Sequence, residues 1–139
     1  MTDIAYIALG SNLGDRAATL SKARESIDAV EGLKIVGTSE IEETEPIGPV
    51  AQGPYLNQMV AVSTELSPRD LLDALQTIEY AAGRQRTVRW GPRTLDLDIV
   101  MIDGVEYSDE VLTVPHPELA KRDFWTRELA ELKGGSHGG

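Results

Sequence analysis

The sequence predicts an α+β fold: a ferredoxin-like antiparallel sheet with helices packed on it, in a single domain. Three observations carry that reading. Periodic segments follow one another as strand, helix, strand, strand, helix, strand, which is the order of a split β-α-β arrangement with both helices on one sheet face. Each helical segment opens on a cap signal, Asp15 for the first and Ser67-Pro68 for the second,. A length of 139 residues suits one domain with a real core,. Such a sheet leaves its other face free for extra elements or a site.

Taken in order, residues 4–9 form an apolar, buried first strand ending at Gly10-Ser11-Asn12. Asp15 caps a helix of about four turns with Leu20, Ala23, Ile27 and Val30 at helical spacing, and Gly32 ends it,. Residues 33–45 alternate as a second strand, with Ile35, Gly37 and Ser39 on one face,. "TEPIGPVAQGP", residues 44–54, holds three prolines and two glycines and is a loop,. Residues 55–66 are a third strand. The second helix runs from Ser67-Pro68 through Leu71, Leu72, Leu75, Ile78 and Glu79 to Gly83. After an arginine-rich loop, residues 95–102 form the fourth strand. Asp103-Gly104 is a hairpin turn signal before a short strand over residues 105–107,. A connection with a short helical piece follows, then a brief amphipathic helix over residues 125–133. The domain is expected to span residues 1–133, with 134–139 as a flexible tail,.

Composition narrows the function classes. The formal net charge of −10 disfavours nucleic acid and anionic membrane as partners,. No cysteine is present, so there is neither a disulfide framework nor a thiolate metal site, which fits a cytoplasmic protein,. The apolar stretch near the start is too short for a membrane span and lacks the basic opening of a signal peptide,. No heptad or large apolar patch is legible, and a monomer is expected.

The stretch "RWGPRTLDLDIV", residues 89–100, carries the chemistry. At period two, Leu95, Leu97 and Ile99 face one side and Asp96, Asp98 and Val100 the other,. Two carboxylates on one strand face lie roughly 6–7 Å apart and repel, and a divalent cation relieves that conflict. Upstream, Arg84, Arg86, Arg89 and Arg93 fall within ten residues and form a cationic patch on an acidic chain. Arginine forks match phosphate oxygens, so a small polyphosphate is expected there, rather than a merely solvated loop. Oxygen ligands beside phosphate point to Mg²⁺, and two ions about 4 Å apart can clamp the attacking and leaving oxygens of a phosphoryl displacement.

Two further groups stand out. Tyr55 opens the third strand with Asn57 two residues on and facing the same way, and Phe124 follows Arg122. Two rings can hold a flat heterocycle, and an amide can donate to and accept from its edge, although each ring taken singly reads as core. In "TVPHP", His116 sits between two prolines, suited either to a structural hydrogen bond or to a phosphate contact. "ALGSNLGD" lacks the Gly-Lys-Ser/Thr ending of a phosphate loop and reads as a turn and helix start,.

Together "ALGSNLGDR", "YLNQMVAV", "IEYAAGRQR", "RWGPRTLDLDIV" and "LTVPHPELAKRDF" resemble the 6-hydroxymethyl-7,8-dihydropterin pyrophosphokinase family of folate biosynthesis, in order and spacing, over residues 4–124. The resemblance implies transfer of the terminal diphosphate of ATP to the pterin hydroxymethyl oxygen, with release of AMP. It implies two Mg²⁺ ions on Asp96 and Asp98, with Arg84 and Arg93 also in the catalytic set. It implies ATP contacts from Arg84, Arg86, Arg89, Trp90, Arg93, Thr113, His116 and Arg122, with Trp90 on a loop that closes over the site. Tyr55 and Phe124 would sandwich the pterin, and Asn57 with Thr44, Pro46, Ile47 and Gly48 would read its edge. Glu79 matches a site position without a defined role.

The pyrophosphokinase pattern breaks after Phe124. "WTRELAELKGG" stands where the family continues through a "PL" and an "EIAP"-like stretch, which puts the pocket wall near Phe124 and the packing of the last helix in question. Two alternatives remain: a nucleotide- or pterin-binding module without catalysis, and another Mg-dependent phosphotransferase built on a D-x-D strand.

Overall fold

The computed structural model describes residues 2–12, 15–45, 54–82 and 95–135. Strands β1 (Asp3–Ser11), β2 (Leu33–Thr38), β3 (Glu42–Thr44), β4 (Tyr55–Thr64) and β5 (Asp96–Ile102) form one antiparallel sheet. Its order is β2-β4-β1-β5, and β3 pairs with the end of β4 beyond β2. Helices α1 (Arg16–Asp28) and α2 (Pro68–Ala81) connect these strands. This is the ferredoxin-like order that the segment pattern predicts.

Both helices lie on one face because their apolar stripes demand it. Leu20, Ala23 and Ile27 of α1, with Leu71, Leu75 and Ile78 of α2, bury against Ala5, Ile7, Leu9, Val60, Val62, Leu97 and Ile99. Each large aliphatic buried there contributes roughly 1.5–3 kcal/mol. The starts are the expected ones: Asp15 accepts from the Ala18 N–H, and Ser67 accepts from the Asp70 N–H ahead of Pro68. Helix α1 ends at Asp28, and Gly32, at φ +90°, turns the chain into β2,.

The opposite face carries a second, smaller core. Tyr6, Ala8, Met59, Ala61 and Val100 bury there under Trp125 of α3 (Asp123–Ala130). A π-helical turn, Glu131–Gly135, extends α3. Leu132 approaches Gly37 there, and Lys133 pairs with Asp103 at 2.9 Å.

Several local expectations need correction. The second strand is two strands, not one. At the break Ser39 donates its N–H to Met59 O, accepts from Met59 N on its hydroxyl, and accepts from Gln58 Nε2 on its carbonyl. Side-chain bonds there replace the regular ladder. A bulge between Ile35 and Gly37 also sends them to opposite faces, Ile35 toward the helices and Gly37 toward Ala61,. Val105 makes only an isolated bridge to Ile102; the short strand is β6 (Tyr107–Ser108), paired with β7 (Thr113–Val114) where a connection was expected. The last helix starts at Asp123, so Phe124 lies within it, and Gly134 belongs to its extension. Val114-Pro115 is cis.

Candidate active site

Helix packing decides which face the carboxylates take. With Leu97 and Ile99 drawn into the helix-side core, Asp96 and Asp98 must project from the other face of β5, where both are half-buried,. Pairing then aligns two rows across the sheet: Asn57 on β4, Gly10 on β1 and Asp96 on β5; and Met59, Ala8 and Asp98 beside them. Gly10 makes the first row possible. A Cβ there would meet Asn57 Oδ1 at 3.2 Å and Tyr55 Cδ2 at 3.3 Å. The tyrosine ring and the amide therefore lie low over β1, reaching toward Asp96 from β4, whose backbone is two strand spacings, roughly 10 Å, from β5. The Asn57 amide donates to Thr44 Oγ1 on β3, so Thr44, Tyr55 and Asn57 form one cluster.

Strand β5 is a sheet edge, and Glu79 of α2 closes part of it. Its buried carboxylate accepts the Leu97 N–H at 2.7 Å, at the residue between the two aspartates. This bond sets the height and pitch of the D-x-D segment from the helix side, which makes Glu79 a positioning residue.

The segment after β7 brings up the remaining groups. His116 donates its N–H to Val100 O at 2.8 Å, and its Nδ1 accepts from Glu118 N at 3.0 Å. The second bond puts the ring hydrogen on Nε2, which lies 4.0 Å from Asp98 Oδ1,. Burial, aided by the Arg122 charge and opposed by Glu118, holds the His116 pKa below the ordinary histidine value, so the ring is neutral at pH 7,. The structural hydrogen bond is thus present, and the ring also stands near the Asp98 carboxylate. The imidazole meets Trp125 edge-on, with centroids 4.9 Å apart. Arg122 stacks over the same indole at 4.5 Å, and its Nε is buried with no hydrogen-bond partner among the described residues. An unmet guanidinium donor next to His116 suits an anionic ligand,. Phe124 packs against Trp125 from the first turn of α3.

Along the outer edge of β5 runs a cleft of about 290 Å³, lined among others by Leu72, Asp98, Ile99, Leu112, Thr113 and His116. It is the size of a small-ligand site, apolar on one side and polar at the mouth. Asp98 and His116 belong to both the cleft and the sheet-face site.

The carboxylates fit a magnesium ion. Their donors are oxygens on one strand face, and the Asp98 side chain keeps 40% exposure. Mg²⁺ is commonly held by one or two carboxylates, with water and substrate phosphates completing its shell. No group of three or more acidic or histidine ligands stands among the described residues, so a closed all-protein cage is not what these residues form.

Of the residues that the sequence singles out, Thr44, Tyr55, Asn57, Asp96, Asp98, Thr113, His116, Arg122 and Phe124 all fall on this face or in the adjoining cleft. Arg84, Arg86, Arg89, Trp90 and Arg93, and likewise Pro46, Ile47 and Gly48, lie outside the described residues. Sequence reasoning missed Gly10, read as part of a turn, and Trp125, whose indole organises His116, Arg122 and Phe124. A cross-strand partner leaves no local signal. Trp125 sits inside a helical pattern that any core residue would satisfy.

The model of the family described as 7,8-dihydro-6-hydroxymethylpterin-pyrophosphokinase (HPPK) matches residues 6–134. The chain is 44% identical over 132 residues to the 2-amino-4-hydroxy-6-hydroxymethyldihydropteridine pyrophosphokinase of Bacillus subtilis, covering 95% of this chain and 79% of that one. It is 44% identical over 128 residues to the protein of the same name from Methylorubrum extorquens, covering 92% and 81%. A crystal structure of Plasmodium falciparum HPPK-DHPS with pteroate superposes with a TM-score of 0.70 at 15% identity, over 95% of this chain; the chain spans only 40% of that protein, and the likeness is one of fold. With both sequence relatives matched over most of their length, the chain belongs to the 7,8-dihydro-6-hydroxymethylpterin-pyrophosphokinase family.

Proposed function

We propose that this family member, which moves the diphosphate of ATP onto the hydroxymethyl group of 6-hydroxymethyl-7,8-dihydropterin and releases AMP, works by alignment across one sheet face. The observation that carries this reading is the row Asn57–Gly10–Asp96 beside Asp98 and the edge cleft. It supports a slot for the acceptor on β4 and a site for the donor on β5, one strand apart. Tyr55 and Phe124 hold the pterin ring, and Asn57 and Thr44 read its polar edge, with Pro46, Ile47 and Gly48 contributing to that wall. The cleft takes the nucleoside, with Thr113 and His116 at its polar mouth, and Arg122 meets phosphate. Arg84, Arg86, Arg89, Trp90 and Arg93 complete the ATP contacts, and Arg84 and Arg93 act on the transferring group.

Asp96 and Asp98 would hold two Mg²⁺ ions, which would neutralise phosphate charge as the diphosphate is transferred. The rest falls to the chain. The slot fixes the hydroxymethyl oxygen toward the β-phosphorus, so that the new O–P bond forms as the α–β bridge breaks. Trp125 excludes water behind His116 and holds the Arg122 guanidinium in place by stacking,. Neutral His116 offers an Nε2 hydrogen to an anionic oxygen.

The net charge of −10 supports the view that neither nucleic acid nor anionic membrane is a partner,. No described helix is long and apolar enough to cross a membrane, and we read the protein as a cytoplasmic monomer. Incubation with ATP, Mg²⁺ and 6-hydroxymethyl-7,8-dihydropterin should yield AMP and the pterin diphosphate in equal amounts. Pterin binding without AMP would indicate a binding module, and ADP as product would indicate a different phosphotransferase.

A further inference from the structure

We propose that Glu128 and Glu42 share one proton, and that this acid–carboxylate clasp is a positioning device. It holds α3 against β3 and so sets the gap between Phe124 and Tyr55. The inference rests on the reading of those two rings as the walls of the pterin slot.

Glu128 lies in α3, within the stretch that the family model matches. It is 2% exposed, and neither carboxylate oxygen has a hydrogen-bond donor among the described residues. What faces it, within hydrogen-bonding reach, is the carboxyl of Glu42. Two ionised carboxylates only accept, so as anions they could form no bond to each other, and the buried charge of Glu128 would stand beside a like one,. One proton turns the repulsion into an O–H···O⁻ bond. The surroundings decide which group carries it. Arg127 Nη2 holds Glu42 at 2.7 Å and keeps it the anion. Burial first, and then the bond and charge of Glu42, push Glu128 up to about 9, with Arg127 lowering it and Glu131 raising it. Burial also raises Glu42, but the bond from Glu128 and the Arg127 charge outweigh this and leave it below the ordinary carboxylate value. The titratable groups around the pair are therefore Arg127 and Glu131 from α3 and its extension, with Asp123 acting on Arg127. Glu40 lies alongside, its N–H donating to Glu131 at 3.0 Å. On this face β4 presents Asn57, Met59 and Ala61, none of which titrates.

The pair sits where it can act on the slot. Glu128 is one helical turn after Phe124, on the same side of α3,. Glu42 is opposite Asn57, and Thr44, two residues on, is opposite Tyr55. Releasing the clasp frees the outer wall from the inner one. The nucleotide cleft, beyond β1 on the far side of β5, is not touched.

The test compares wild type with Glu128→Gln, whose amide donates to Glu42 at every pH, and with Glu128→Leu, which cannot donate. Affinities for the pterin, with Mg²⁺ and a non-hydrolysable ATP analogue present, and for the analogue alone are measured at pH 7 and pH 9.5. The pterin's own titration cancels in the ratio of wild type to Glu128→Gln. We expect that ratio to fall roughly fivefold at the higher pH, the equivalent of one hydrogen bond, while the ratio for the analogue stays constant. Glu128→Leu should bind pterin weakly at both values. Should it not fold, the first comparison still decides.

Stability gives a second readout without ligand. With its folded pKa raised, Glu128 keeps a proton that the unfolded chain has lost, between the ordinary carboxylate value and about 9. The wild-type melting temperature should therefore fall relative to Glu128→Gln as pH rises through that window, then level off. A flat pterin ratio in a wild type that does bind pterin overturns the clasp and leaves the slot standing. Absence of pterin binding by the wild type overturns both.

Discussion

The two faces of the sheet are built on opposite rules. The helix side is mainly aliphatic and packed under α1 and α2, with the buried Glu79 carboxylate at its β5 edge. The other side buries two aromatics, Tyr6 and Trp125, and has half-buried carboxylates at one end and orphaned polar atoms on Arg122 and Glu128. The apolar face does most of the stabilising, while the unmet polar atoms of Arg122 and Glu128 lie on the site face; Ser11 Oγ, also buried without a partner among the described residues, follows Leu9 onto the helix side,. Strand alternation couples the two, because every residue that packs against a helix forces its neighbour toward the site.

That contrast can be broken from either side. The largest effect is expected from Asp98→Ala: AMP release should drop on the order of 10³-fold. ATP binding should weaken only in part, and the melting temperature should hardly move, because the side chain is 40% exposed. Residual Mg²⁺-dependent AMP release near the wild-type rate would refute the assignment. Leu75→Ala, 1% exposed on the helix side, should do the reverse. Denaturant unfolding should show a loss of about 2–5 kcal/mol, while kcat of the folded fraction is retained. A matching fall in kcat would mean that the faces are not separable.

Glu79→Gln sharpens the comparison, since that residue reaches from one face to the backbone of the other. An amide oxygen can still accept from Leu97, but without the charge. We expect a loss of roughly tenfold in kcat, as for other partners that orient metal ligands. The Mg²⁺ concentration for half-maximal rate should rise, with KM for pterin unchanged. A change confined to melting temperature would make Glu79 purely structural. Gly10→Ala is the mildest. The added methyl presses Asn57 and Tyr55 at 3.2 and 3.3 Å, so KM for pterin should rise a few-fold while KM for ATP stays put. Equal shifts in both would contradict the separation of acceptor and donor across β1.

Much of this was legible in the chain. The alternation in "LDLDIV" correctly separated Asp96 and Asp98 from Leu95, Leu97 and Ile99. The caps at Asp15 and Ser67 were read from residue type alone, since capping is a local bond. What went astray was non-local. Residues 33–45 alternate like one strand, yet Gln58 and Met59, from another strand, take over the hydrogen bonds of Ser39 and split it. Thr113 and Val114 looked like loop because two residues make no pattern without their partners Tyr107 and Ser108.

By itself the chain determined its segments, their order, the faces of the D-x-D strand and, through its motifs, its family. These depend on period, propensity and spacing, which are properties of neighbouring residues. Only the folded molecule could decide that Asn57, Gly10 and Asp96 form one row, that Trp125 carries His116 and Arg122, and that Glu128 meets Glu42. The first and last of those contacts join residues far apart in sequence, and all three depend on sheet register and helix docking, to which no single segment holds the key.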